Sequence, residues 1–154
     1  MTGRLRPLRW WDVQTLAALE LELFTADAWT AETWWAELAQ ALRWYCAVEL
    51  PERPGEPAGY AGAAVNGPDA DVMTVAVAPW AQGRGLGGQL MAALVAAVAE
   101  RGAAQLVLEV RSDNDVAQRL YARHGFERIA VRRGYYQGVD AWIMRLRPVV
   151  SLAP

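Results

Sequence analysis

Cysteine and histidine are almost missing from this chain, with Cys46 and His124 the only example of each. A lone cysteine cannot close an internal disulfide and excludes a CxxC metal or redox site, so a reducing compartment is expected. No cluster of metal-ligating residues exists, and no metal is expected. Neither sign of charge dominates: 15 basic against 17 acidic residues leave a formal charge of -2, with no run of like charge. That balance argues against a nucleic-acid partner, which would want a basic face, and mildly favours a cationic acceptor. No stretch approaches the roughly eighteen uninterrupted apolar residues of a membrane span. Three arginines lie between Met1 and Trp10, but no apolar core of signal-peptide length follows them. A cytoplasmic protein without a membrane partner is the expectation. There is no internal repeat, low-complexity tract or linker, and 154 residues at 54% hydrophobic suit one domain over 1–154. A chain of that size buries about 70% of the surface its unfolded form exposes.

The stretch Thr74 to Gly88, T-V-A-V-A-P-W-A-Q-G-R-G-L-G-G, organises the rest. The β-branched run of Val72, Thr74, Val75 and Val77 ends at Pro79. Four glycines then fall within six positions, and Leu86, Leu90, Leu94 and Val98 recur at helical spacing. The pattern predicts strand, glycine-rich turn, helix. The first amides of a helix lack intrahelical partners and sit at the positive end of its dipole, so such a turn cradles phosphate. A ligand with a pyrophosphate follows, the alternative being glycines used for turn geometry alone. No Lys-Ser/Thr pair follows them, as a nucleotide-hydrolysing loop requires, and the order Q-x-x-G-x-G is not the dinucleotide fingerprint. Gln82-Gly83-Arg84-Gly85-Leu86-Gly87 after V-A-V-x-P instead resembles the acetyl-CoA signature of the GNAT N-acetyltransferases, whose loop amides hold the pyrophosphate of coenzyme A.

Along the rest of the chain, Arg4 to Arg9 reads as an edge strand tolerant of its proline. Asp12 can cap a helix through Val13, Leu16, Leu19, Leu21 and Leu23. Phe24 to Trp29 breaks it, and Thr30 caps a second helix with a stripe of Trp34, Trp35, Leu38 and Leu42. Tyr45 to Leu50 and Ala58 to Val65 are strands around the Pro51 to Pro57 loop. Asn66 to Asp69 turns into the strand Asp71 to Ala78. The helix from Leu86 stops at Arg101-Gly102. Gln105 to Arg111 is a buried strand parallel to the one before that helix. Asp113, Asn114 and Asp115 offer capping oxygens for a helix through Val116, Ala117, Leu120 and Tyr121, closed by Gly125. Phe126 to Arg133 and Asp140 to Arg147 are the last strands, joined by a loop over Gly134 to Gly138. The fold class is α/β: a mixed sheet of about seven strands, mostly antiparallel with one β-α-β crossover, and four helices.

Glu109 ends the otherwise apolar L-V-L-E-V-R, where it faces a cleft or pairs with Arg111 or Arg133. Tyr121 lies on the following helix, so a carboxylate and a phenol can converge at the strand's C-terminal end. An α-ammonium of pKa about 7.7 to 8.0 gives its proton to a carboxylate at modest cost. The freed amine attacks a thioester, whose oxygen needs a donor such as the Val77 amide, and a phenol can protonate the leaving thiolate. Either residue can instead be structural, Glu109 in a salt bridge and Tyr121 in the core. Tyr135 and Tyr136 line an acceptor groove or pair across strands. His124 suits a helix C-terminus, and Cys46 packs in a strand.

L-E-V-R-S-D-N-D-V-A-Q-R-L-Y-A-R-H-G-F-E, from Leu108 to Glu127, is similar to the RimI group's L-E-V-R-x-S-N-x-x-A-x-x-L-Y-x-x-x-G-F. R-R-G-Y-Y and D-A-W-I-M, between Arg132 and Met144, resemble that group's final strands. The resemblance implies an acetyl-CoA-dependent enzyme acting on the N-terminal alanine of a small-subunit ribosomal protein. It places the base on Glu109 and the acid on Tyr121. It places cofactor contacts on Val75, Ala76 and Val77, on Gln82, Gly83, Arg84, Gly85, Leu86, Gly87 and Gly88, and on Asn114. The F-x-x-x-A-W-T-x-E-T stretch looks like the segment bordering the acceptor site, which puts Trp29 at a pocket rim; Tyr135 and Tyr136 are the other candidate acceptor contacts. Asp113 stands where that group usually has serine. A GNAT enzyme for a small amine or lysine, or an acyl-CoA-binding sensor without turnover, are the alternatives.

Overall fold

A computed structural model of the chain describes residues 3–150. It contains strands β1 (Arg4–Pro7), β2 (Arg43–Glu49), β3 (Gly59–Asn66), β4 (Asp69–Val77), β5 (Gln105–Arg111), β6 (Glu127–Tyr136) and β7 (Val139–Leu146). The helices are α1 (Val13–Phe24), α2 (Ala31–Leu38), α3 (Leu86–Glu100) and α4 (Asp115–Arg123). The strand order is β1-β2-β3-β4-β5-β7-β6, the mixed seven-strand sheet expected, with β1 at an edge where Pro7 is tolerated. Contacts divide the chain into two compact units. One is the chain up to Gly62 with Thr74–Leu90; the other is Ala63–Met73 with the chain from Met91 on.

In the first unit the core gathers Val13, Leu16 and Leu19 of α1, Trp34 of α2, and Tyr45, Tyr60, Ala76 and Ala78 of the strands. Trp34 touches the Tyr45 and Tyr60 rings edge-on at 5.6 and 5.4 Å. Gly62 makes room for this cluster, since a Cβ there would lie 2.0 Å from the Tyr45 ring. Three expectations fail here. Leu21 is 65% exposed and Glu20 is 2% exposed, because Glu20 sits four residues after Leu16 on the inner face while Leu21 turns outward. Asp12 does not cap α1 with its side chain. Its carboxylate accepts from the Arg9 amide and both Arg6 terminal nitrogens, closing the short 3-10 turn ahead of the helix. α2 ends at Leu38, leaving Leu42 58% exposed outside it. The Glu37 carboxylate accepts from Arg43 Nε (2.9 Å) and the Tyr45 hydroxyl (2.7 Å), tying the helix end to the start of β2.

In the second unit β4 pairs in parallel with β5 from Asp69↔Gln105 to Asp71↔Val107. β7 pairs antiparallel with β5 on one side and β6 on the other. The stretch expected as a Gly134–Gly138 loop is mostly strand, since β6 continues to Tyr136. The register shifts between Arg132 and Tyr136, Gly134 lies at φ 64°, and its amide donates to Asp140 Oδ1 at 2.9 Å. The turn itself is Gln137-Gly138 (φ 48° and 92°), a two-residue hairpin with both central residues left-handed. Asn114 caps α4 as expected, its Oδ1 accepting from the Ala117 amide at 3.1 Å. At the other end the Phe126 amide donates to the Tyr121 carbonyl across Gly125 (φ 90°), the glycine-closed helix end anticipated.

Candidate active site

Two sets of candidate residues lie in the two units. In the first, β4 ends at Val77 and a 3-10 turn over Pro79–Ala81 leads to the glycines. Gln82 Nε2 donates to the Val77 carbonyl at 3.2 Å. Gly83 and Gly85 adopt φ of 80° and 78°, a conformation that disfavours any side chain, with open space where a Cβ would stand. The Gln89 amide donates to the Gly85 carbonyl at 3.2 Å, the first bond of α3. The amides of Leu86, Gly87 and Gly88 therefore precede any intrahelical acceptor, while the Leu86 side chain anchors the turn in the core. Exposed glycines, unspent amides and the positive end of a 15-residue helix fit a diphosphate. Arg84 forms an ion pair with Glu52, and backbone hydrogen bonding followed by this pair holds that carboxylate below its ordinary range. Val75 and Val77 are half-buried beside the buried Ala76.

Trp29 also belongs to this unit. Its ring lies half-buried against Trp34 (4.8 Å, edge-on), and its amide donates to Glu20 Oε2 at 3.1 Å. Glu20 Oε1 takes the Tyr60 hydroxyl at 2.7 Å. Burial pushes the Glu20 carboxyl above the usual range, only partly offset by the Tyr60 and Trp29 donors. Nothing in the apolar spacing of α1 announced this buried acid.

In the second unit Glu109 and Arg111 share one face of β5, opposite Ile143 and Ala141 of β7, which in turn face Ala130 and Arg132 of β6. Glu109 Oε1 accepts from Arg132 Nη1 at 2.8 Å. The sequence pointed to Arg111 or Arg133 as partner. Arg111 is instead held by Asp113 in a two-pronged pair, Nε–Oδ1 3.0 Å and Nη2–Oδ2 3.1 Å. Asp113 thus neither caps α4 nor stands as a lone charge, and Arg111 keeps it below the ordinary carboxylate range. Arg132 lies over the Tyr135 ring at 4.5 Å, Tyr135 meets Tyr136 edge-on at 5.0 Å, and Arg111 lies over Tyr136 at 5.5 Å. Tyr121 is buried against Phe126 (5.8 Å). Burial, then the neighbouring Tyr136 hydroxyl, push its phenol up to about 12. Tyr136 thus neighbours both Tyr121 and Arg111, while Tyr135 neighbours the cation on Glu109. Pairing across strands and lining one surface are compatible for these two tyrosines.

The remaining candidates are structural. His124 Nδ1 lies 3.0 Å from the Leu120 carbonyl at the end of α4. Cys46 is buried in β2, and burial, against a hydrogen bond to the Ala61 backbone, raises its thiol to about 12. No helix among the described residues is long and apolar enough to cross a membrane.

The model of the Acetyltransferase (GNAT) family matches residues 7–126. The chain belongs to this family. Its members use acetyl-CoA, which agrees with the ligand read from the glycine turn. The chain is 38% identical over 141 residues to an N-alpha-acetyltransferase RimI of Mycobacterium tuberculosis, covering 87% of this chain and 85% of that protein. It is 37% identical over 141 residues to an uncharacterised Mycobacterium leprae protein, 87% of this chain but only 38% of the relative's length. Among solved structures, the ribosomal-protein-S18-alanine N-acetyltransferase of Escherichia coli superposes with a TM-score of 0.84 at 30% identity, over 99% of this chain and 96% of that one. The GNAT acetyltransferase of RimI type expected from the motifs stands.

Proposed function

We propose that the chain, as a single cytoplasmic domain over 1–154, moves acetyl from acetyl-CoA to the α-amine of an N-terminal alanine on ribosomal protein S18. The substrate is the one that the E. coli neighbour, a ribosomal-protein-S18-alanine N-acetyltransferase, acts on, and no nucleic acid or membrane takes part. The observation that carries the mechanism lies in the second unit. There an accessible carboxylate, Glu109, and a buried phenol, Tyr121, are joined through the run Arg132, Tyr135 and Tyr136.

In this reading the Leu86, Gly87 and Gly88 amides hold the diphosphate, with Gln82, Gly83, Arg84 and Gly85 shaping the turn. Val75, Ala76 and Val77 run beside the pantetheine arm, and Asn114 contacts it while capping α4. Glu109, directly or through a water, takes one proton from the α-ammonium, whose pKa of about 7.7 to 8.0 makes the transfer modest in cost. The nitrogen lone pair forms the new C–N bond, the Val77 amide stabilises the oxyanion, and as the C–S bond breaks the nitrogen releases its second proton to solvent. Tyr121 donates to the departing sulfur. A phenol near 12 keeps its proton throughout the neutral range, so the donor is present in every turnover and regains its proton from solvent. Trp29, Tyr135 and Tyr136 contact the acceptor's first residues.

Intact-mass analysis of peptides with free Ala, Ser, Gly and Met N-termini, beside an N-blocked lysine peptide, tests the assignment. Acetylation of the alanine peptide ahead of the others is expected. Reaction of lysine alone, or of small amines alone, would refute the acceptor while leaving the transferase class intact.

A further inference from the structure

The carboxylate that must receive the acceptor's ammonium already holds a cation. Arg132 Nη1 sits 2.8 Å from Glu109 Oε1, with side chains 54% and 32% exposed. Three features of this chain put Arg132 in that place. Asp113 ties up Arg111, the nearer cation on the same face. Ala141 lies directly opposite both Arg111 and Arg132, and its short side chain lets Arg132 reach diagonally across β7. While paired with Glu109, Arg132 also lies over the Tyr135 ring 4.5 Å away, a contact that still stabilises a guanidinium released from the carboxylate. An ion pair this exposed is weak enough to exchange.

We infer that Arg132 is an internal stand-in for the acceptor's ammonium, a positioning and specificity residue that yields Glu109 only to another cation. The inference rests on Glu109 as the base. While no acceptor is bound, the pair keeps the carboxylate aimed across β7. On binding, the α-ammonium replaces the guanidinium one charge for one charge, and Arg132 stays on Tyr135. An acceptor whose N-terminus is blocked brings no cation and cannot make the exchange. Arg132 thereby lowers affinity for correct acceptors slightly and disfavours neutral ones.

The test is calorimetry of an alanine N-terminal peptide binding to coenzyme A-loaded protein, for the wild type and for R132Q, R132K, E109Q and E109Q/R132Q. R132Q is expected to bind the free peptide about two- to fivefold more tightly, the range of an exposed ion pair. It should also gain affinity for an N-acetylated peptide that the wild type binds more weakly. R132K keeps the cation and should resemble the wild type. In the E109Q background the R132Q gain should vanish, because the competition is lost with the carboxylate. Equal or weaker peptide binding by R132Q, or a gain that persists without Glu109, would overturn the inference. Glu109 as base is judged separately: full turnover by E109Q would remove that role, whatever the R132Q affinities.

Discussion

Both units build with glutamate, tyrosine and arginine, and the use each makes of them differs. In the first unit three acids are sealed in: Glu20 takes Tyr60 and the Trp29 amide, Glu37 takes Tyr45 and Arg43, and Glu49 takes Arg6, Arg4 and the Gly55 amide. Burial, helped by the neighbouring carboxylates, raises the Tyr45 and Tyr60 phenols far above their ordinary value. Those tyrosines are spent on fixing α1, α2 and the strands. In the second unit Glu109 is accessible and pairs with a half-exposed arginine, Arg132, while Tyr121 is buried beside another phenol, Tyr136. A fully satisfied Glu-Tyr pair is a fastener. A carboxylate on an exchangeable cation, with a separate phenol that keeps its proton, can handle protons for a substrate.

The sharpest break of this comparison is E109Q, which should lower kcat by about 100-fold, the range of general-base loss, with the melting temperature nearly unchanged. Equal loss of stability would make Glu109 a fastener too. Next, Y60F leaves a Glu20 oxygen without its donor in the core and should cost about 2 kcal/mol by denaturant unfolding, with kcat retained. G85A comes third. It forces a side chain into left-handed backbone at a cost of about 1 kcal/mol and should weaken coenzyme A binding several-fold by calorimetry. The smallest effect is in the pH dependence of stability within the first unit. Burial leaves Glu20 above the ordinary carboxylate range despite its donors, so its contribution is fullest in acid and falls as pH rises through its folded pKa. Glu49 has the opposite sign. Burial pushes it up, but the Gly55 amide and Arg6 outweigh that and hold it low, so its contribution is lost as pH falls through its folded pKa. E20Q and E49Q should tilt the stability-pH curve in opposite senses.

The parts legible in the sequence are those written in local contacts. Strand, Gly83, Gly85 and α3 follow from residues adjacent in the chain. Gly125 ends α4 so that the Phe126 amide reaches Tyr121, whose ring then packs on Phe126. The roles proposed for Glu109 and Tyr121 came from the resemblance, with their residue types agreeing. The illegible parts depend on strand order. Arg132 reaches Glu109 only because β7 lies between β5 and β6, an arrangement no spacing along the chain reveals. Asp113 displaced Arg111 by a local pair that its capping potential concealed. Gly134 to Gly138 has loop composition, yet a bulge and a two-residue turn absorb it. Helical spacing marks apolar residues, so it promoted Leu21 and overlooked Glu20.

Removing one hydroxyl from each region tests the account most directly, through single-turnover acetylation of an alanine N-terminal peptide by acetyl-CoA-loaded Y121F and Y60F. The chain contains no lysine, so no Nε-amine of the enzyme competes for the label. Y121F should fold normally and transfer acetyl about 100-fold more slowly, whereas Y60F should be less stable and transfer at the wild-type rate. Wild-type transfer by Y121F, with the loss falling on Y60F instead, would contradict it.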